Sequence, residues 1–240
     1  MADLFGITEN ADAGLDLSWV DKMFEVTMAV IISKHLNNDL IHSLVAQQAK
    51  VIFHMTCTGY GGTIFEAKVP DLSTTLIQFH KLIEAGFPQN QIVLRVDPIF
   101  PTKEGIELAS KVIKTFKNTR IQRVRYSIVD IYPHVRERLI KAGLPDPYCG
   151  NFNASEDEII YVMNMLEGYR KDYLFFEACA ESTKDKLGCV SQRDLDILGI
   201  KADLVGHSGQ RPTCSCPIKQ QLIPRQICSS KCLYCFWKHN

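Results

Sequence analysis

Apolar residues along the chain fall into short runs separated by longer stretches with helical spacing. Residues 4–8, 28–33, 51–56, 92–96, 124–129 and 173–178 are rich in β-branched and aromatic side chains and have the length of buried parallel strands. Residues 202–206 form a weaker seventh candidate. Between these runs, Asp71 precedes Leu76, Phe79 and Ile83 at helical spacing, and Gly86 with Pro88 ends the pattern. Residues 102–116 place Ile106, Ala109, Ile113 and Phe116 on one face. Ser155 and Glu158 have the spacing of a capping box ahead of Ile159, Val162, Met163, Leu166 and Tyr169. Repeated strand–helix units predict an α/β fold with parallel strands, a full or partial (β/α) barrel, with an open doubly wound sheet as the alternative. The pattern covers a barrel-like catalytic domain over residues 1–205. It lapses over residues 206–240 into an irregular tail rich in Cys, Pro, Gln and Ser, expected to pack on the same domain.

Polar residues recur where the predicted strands end: His54 and Thr56, Arg95 and Asp97, Ser127 and Asp130, Glu177 and Glu181. In a barrel of parallel strands that rim carries the ligand chemistry. Arg95, Asp97, Glu177 and Glu181 are therefore the candidate catalytic residues, and Asp130 a candidate cofactor contact. Asp97-Pro98 also has the composition of a turn, with Arg95 as an ion-pair partner.

Composition narrows the function. Lysine plus arginine equal aspartate plus glutamate at 27 each, so bulk charge gives no sign of a nucleic-acid coat. Lys111, Lys114, Lys117, Arg120, Arg123 and Arg125 form a local basic stretch, readable as a phosphate contact or as the solvated face of a helix and its loop. The start lacks a signal-peptide pattern, and no stretch approaches the roughly 18 apolar residues of a membrane span, so a soluble cytoplasmic protein is expected. Nine cysteines in a reducing compartment point to metal ligation before disulfides.

The most specific signal closes the chain: Cys228-Ser-Ser-Lys-Cys232-Leu-Tyr-Cys235. Three thiolates on one short loop can bind three irons of a cubic cluster and leave the fourth open. Cys214-Ser-Cys216 lies a short loop upstream, so four thiolates drawn from these five cysteines would equally satisfy tetrahedral zinc. That alternative makes the chain a zinc-stabilised, non-enzymatic binding module. Tyr234 reads either as a core aromatic or as a residue flanking an adenine.

The Cys-x-x-x-Cys-x-x-Cys run with an aromatic before its last cysteine resembles the signature of radical S-adenosylmethionine (SAM) enzymes. With Gly209-Gln-Arg-Pro-Thr-Cys214-Ser-Cys216, it resembles the closing motif of a bacterial and phage family of unknown function regarded as radical-SAM-like, itself distantly similar to the lyase that repairs thymine photodimers. Upstream, Ile31-Ile-Ser-Lys34-His-Leu-Asn37, Thr56-Cys-Thr58-Gly59-Tyr60, Arg95-Val-Asp97-Pro98-Ile99, Ser127-Ile-Val-Asp130-Ile-Tyr132 and Cys179-Ala180-Glu181 resemble segments of the same family. The Arg-Arg pair usual near its N-terminus is replaced by Thr8-Glu9-Asn10-Ala11-Asp12, and Cys57 stands where an apolar residue is usual.

The resemblance implies a [4Fe-4S] cluster on Cys228, Cys232 and Cys235 and SAM as cofactor. It implies an isomerase or lyase acting on a small molecule or a modified pyrimidine, the latter within DNA, with an electron donor such as flavodoxin or ferredoxin and no membrane partner. Lys34, Asn37, Asp130 and Tyr234 become the candidates for cofactor contact. Cys179, Cys189, Cys214 and Cys216 become candidates for a second iron–sulfur cluster or a structural metal such as zinc. The Gly59-Tyr60-Gly61-Gly62 run reads as a turn or as a close approach to the methionine part of SAM.

Overall fold

Strands and helices alternate as the apolar pattern requires in the computed structural model, which describes residues 4–179, 182–208 and 214–237. The order is β1 (Phe5–Ile7), β2 (Met28–Ser33), α1 (Asn38–Ala46), β3 (Val51–Thr56), α2 (Leu72–Glu84), β4 (Ile92–Ile99) and α3 (Lys103–Phe116). It continues through β5 (Arg123–Ile128), α4 (Pro133–Lys141), α5 (Glu156–Glu167), β6 (Phe175–Glu177), α6 (Gln192–Leu198) and β7 (Gln220–Gln221). Helix starts lie where the capping residues predict. Asp71 accepts from Thr74 N–H and Thr102 from Gly105 N–H, and Ser155 with Glu158 forms a reciprocal capping box.

All strand pairings are parallel, and the seven strands lie in the order β6-β5-β4-β3-β2-β1-β7. Strands β1 to β6 run in sequence without reversal, which excludes the doubly wound alternative, because that arrangement needs a switch of direction. Helices α1, α2, α3 and α5 accordingly pack on one face, against Ile31, Phe53, Leu94, Val124 and Tyr126. The other face holds Phe5, Met28, Ile52 and Val93, covered by α6 and the segment around Cys189 and Cys216. The architecture is an α/β fold built on one parallel sheet whose edge strands are β6 and β7.

Two departures from the apolar pattern concern the β7 edge and the tail. Residues 202–206 form no strand, and the seventh strand is the Gln220–Gln221 pair, aligned on Gly6 and Ile7. A two-residue strand made only of backbone pairing leaves no apolar alternation to read. The tail is also part of the main core, where Leu222 and Ile223 are fully buried with the helices.

Strand β5 alternates Val124, Tyr126 and Ile128 outward with Arg123 and Arg125 inward. Inside the sheet, Glu177 accepts from Arg123 Nε at 2.8 Å, Arg125 Nη2 at 3.0 Å and Arg193 Nη1 at 2.8 Å, while Arg123 Nη2 donates to Asp194 at 2.7 Å. Burial alone would raise the Glu177 carboxyl, but Arg125 and then Arg123 outweigh it and hold it below its ordinary value. Burial dominates at Asp194, which stands above its ordinary value despite Arg123. Removing one partner of a buried ion pair strands the other charge in a low-dielectric interior. Glu177→Ala is therefore expected to cost about 3–5 kcal/mol of unfolding free energy in urea titrations. A loss below about 1 kcal/mol would show that the arginines do not depend on this carboxylate.

Candidate functional site

The carboxyl ends of the strands open into a cavity of about 250 Å³. Its wall carries Thr8 and Glu9 beyond β1, Ser33 and Lys34 at the end of β2, and Thr56 at the end of β3. Strand β4 adds Arg95 and Asp97, and the end of β5 adds Ser127 and Asp130. The tail covers it with Cys228, Ser230, Cys232, Tyr234, Cys235 and Trp237. Parallel strands present their terminal side chains and free backbone groups at this end, so the site is where such a sheet places ligand chemistry.

The three-cysteine loop is fastened from several sides. Lys231 takes a left-handed φ of 48°, and its N–H reaches Cys228 O at 3.3 Å. Cys235 N–H bonds Cys232 O at 3.1 Å, and Leu233 N–H bonds Phe65 O at 3.0 Å. Arg138 of α4 donates to the carbonyls of Cys232, Cys235 and Trp237. The imidazoles of His35 and His134 are engaged by Ser230 Oγ and Phe236 O, each at 2.7 Å. Among the described residues, no other cysteine lines the cavity.

Lys34 forms an ion pair with Glu66 and hydrogen-bonds Tyr234 Oη, and the Tyr234 hydroxyl donates to Glu66. Thr58 Oγ1 completes the Glu66 carboxylate at 2.7 Å. Burial works to lower the Lys34 ammonium, but Glu66 and Cys232 outweigh it and hold it above its ordinary value. Burial pushes the Cys232 thiol up to about 12 against the pull of Lys34. Tyr234 has two environments. The ring packs with Tyr60 and Phe100 in an aromatic floor, and it also lines the cavity. Glu66 is the one carboxylate between Thr56 and Asp71, the signal that would have singled it out beforehand. Glu9, ion-paired with Lys219 at 3.0 Å and bonded by Gln221 at 3.1 Å, has no comparable signal in sequence.

The remaining candidates separate. Arg95 Nε bonds Asp97 at 2.6 Å, Ser127 Oγ bonds the other Asp97 oxygen, and both ion-pair partners face the cavity. Burial would raise Asp97, yet Arg95 and Ser127 hold it below the usual carboxylate range. Strand β4 runs through Asp97-Pro98, a cis peptide bond, with no turn there. Asp130 lines the cavity and accepts from Asn153 at 2.8 Å. Asn37 is the N-cap of α1, accepting from Leu40 N–H and donating to Gly14 O, and is absent from the cavity wall. Glu177 lies below the cavity in the arginine network, and Glu181 falls outside the described residues. The glycine run is a turn: Gly59 has φ +86°, and a Cβ on Gly61 would stand 1.9 Å from Pro70 O. The basic stretch does not form one surface, because Arg123 and Arg125 point into the sheet interior.

A second thiol group lies outside the cavity wall. Cys179, Cys189 and Cys216 sulfurs all lie within 4.8 Å of one another, and Cys214 contacts Cys179. His54, expected at a strand end, is fully buried in mid-strand, and neither ring nitrogen has a partner among the described residues.

The chain belongs to a family described as a domain of unknown function (DUF1848), whose profile matches residues 17–237. No curated protein and no solved structure matches it. No helix among the described residues is long and apolar enough to cross a membrane.

Burial, then Arg125, Arg95 and Arg123, hold the His54 imidazolium well below its ordinary pKa. The unfolded chain takes up a proton below about pH 6.5 and the folded one does not, so this histidine lowers stability as pH falls. Between pH 6.5 and 5, wild type should lose stability relative to His54→Phe at a slope approaching 1.4 kcal/mol per pH unit, about the value for one proton. Parallel stability–pH curves for the two proteins would contradict a neutral, buried His54.

Proposed function

We propose that this chain is a radical SAM enzyme, with a [4Fe-4S] cluster on Cys228, Cys232 and Cys235 and with SAM and substrate in the cavity above the strand ends. The observation that carries this reading is that the three thiols of one short loop line a cavity that also carries Lys34, Arg95, Asp97 and Asp130. The donor set fits the group. Thiolates are the ligands of iron–sulfur clusters, and three of them leave one iron for an external ligand. Together, cluster and SAM supply reductive cleavage to methionine and a 5′-deoxyadenosyl radical that takes hydrogen from substrate.

The chain's own residues prepare that chemistry. Lys34 and Arg138 set positive charge beside the thiolates of Cys232 and Cys235. Tyr60, Phe65, Phe100 and Tyr234 form an aromatic floor that keeps water from the cluster loop. Arg95 and Asp97, locked together, and Asp130 offer donors and acceptors to a polar substrate. That mixture suits a modified pyrimidine, free or displaced from DNA, undergoing an isomerase or lyase reaction, with flavodoxin or ferredoxin as electron donor.

Anaerobically purified, reduced protein given SAM should release 5′-deoxyadenosine and methionine, and Cys232→Ala should abolish the release, a loss of at least about 100-fold. A variant that matches wild type, or a colourless protein with zinc on the tail trio, would contradict this function and favour a zinc-stabilised binding module.

A further inference from the structure

We infer that Cys179, Cys189, Cys214 and Cys216 form a closed four-thiolate zinc site that fastens the open seam of the sheet. This inference does not depend on the reading of the tail trio. Cys179 and Cys189 sulfurs stand 3.6 Å apart, and with Cys216 they form a group in which every separation is below 4.8 Å. A tetrahedral zinc with bonds near 2.3 Å needs separations of about 3.8 Å, so these thiols already have the spacing of one metal ion. In a cubic cluster each thiolate binds a different iron, and the iron–iron edge spreads the sulfurs further. Cys214 interacts with Cys179 and stands two residues before Cys216, so it is placed to close on the three-sulfur group as the fourth ligand.

The surroundings are those of a metal–thiolate centre. Four thiolates on one divalent ion carry a net charge of −2, and the protons they lose pass to solvent. Arg125 Nη1 lies 3.6 Å from Cys179 Sγ and 3.9 Å from Cys189 Sγ, and its other contacts hold it there: Leu187 O at 3.1 Å, Gly188 O at 2.8 Å and Glu177 at 3.0 Å. Cys189 N–H donates to Cys216 Sγ at 3.2 Å, the kind of outer hydrogen bond that orients a ligand. Lys219, ion-paired with Glu9 at 3.0 Å, stands near Cys189 and Cys216. Cys189 and Cys216 are buried and none of the four thiols lines the cavity, so the centre offers no coordination position to substrate.

Its place in the fold gives it a role. Cys179 follows β6 by two residues, and Cys216 precedes β7 by four. These strands are the two edges of the sheet. A metal shared between them ties the edges together where no hydrogen-bond ladder does.

The test is zinc analysis and zinc-edge X-ray absorption on the full chain purified anaerobically, beside Cys216→Ser and Cys232→Ala. The wild type should hold zinc with four sulfurs at about 2.3 Å. Cys232→Ala should retain that zinc, whereas Cys216→Ser should lose it and melt at lower temperature. Two zincs in wild type, one lost in each variant, would still support this site while sinking the radical SAM reading. The inference is overturned if zinc is absent and Cys179 is disulfide-bonded to Cys189, if the four cysteines hold iron and sulfide, or if zinc follows Cys232 and not Cys216. Should Cys216→Ser not fold, the zinc-edge spectrum of Cys232→Ala decides alone: four sulfurs support the site, and any other shell overturns it.

Discussion

One carboxylate inside the sheet, Glu177, receives three arginines, and much of the molecule is arranged around that concentration of charge. Burying several guanidinium groups is tolerable only where each finds an acceptor, because desolvation otherwise outweighs any attraction. Arg123 is anchored to Asp194 at the start of α6, which brings that helix against the inner face of the sheet. Arg125 reaches the other way, to two backbone carbonyls and two thiols. The network therefore joins the β5–β6 pair to the segment that carries Cys189. Remove its centre and both the helix and the thiol group lose their counterparts.

Above this layer the chemistry changes character. Arg95 is the last of the inward arginines and the first to face the cavity, with Asp97 and Ser127 completing its surroundings. The two cysteine groups thus occupy different environments. One lies against Arg125 in the interior, closed and cation-lined. The other forms the roof of the cavity, on a loop hydrogen-bonded to Arg138 and abutting the Lys34–Glu66 pair. A closed group suits a structural ion and an open one suits reaction, and it is this contrast that separates the two assignments.

The sheet was legible because buried parallel strands are continuous apolar runs. Strands β2 and β3 match their predicted limits residue for residue, and the caps Asp71, Thr102 and Ser155 start their helices. Strand β7 was not legible, since two adjacent glutamines carry no apolar alternation. Arg123 and Arg125 belonged by charge to a surface stretch, and only the period of two along β5, set against Glu177 far away in sequence, places them inside. In the site, the tail cysteines, Lys34, Arg95, Asp97 and Asp130 share one cavity. Asn37 serves its helix, and Glu177 serves the interior. The roles of Glu66 and Glu9 are not legible in sequence, because their partners, Lys34, Tyr234 and Lys219, come from distant segments.

The central claim is that the tail trio leaves one iron open to SAM. Electron paramagnetic resonance of the anaerobically reconstituted, reduced protein tests it most directly, recorded with and without SAM. The expected result is the signal of a reduced [4Fe-4S] cluster whose shape changes when SAM is added, and which is missing from Cys235→Ala. A signal indifferent to SAM, or one that persists in that variant, would contradict the claim.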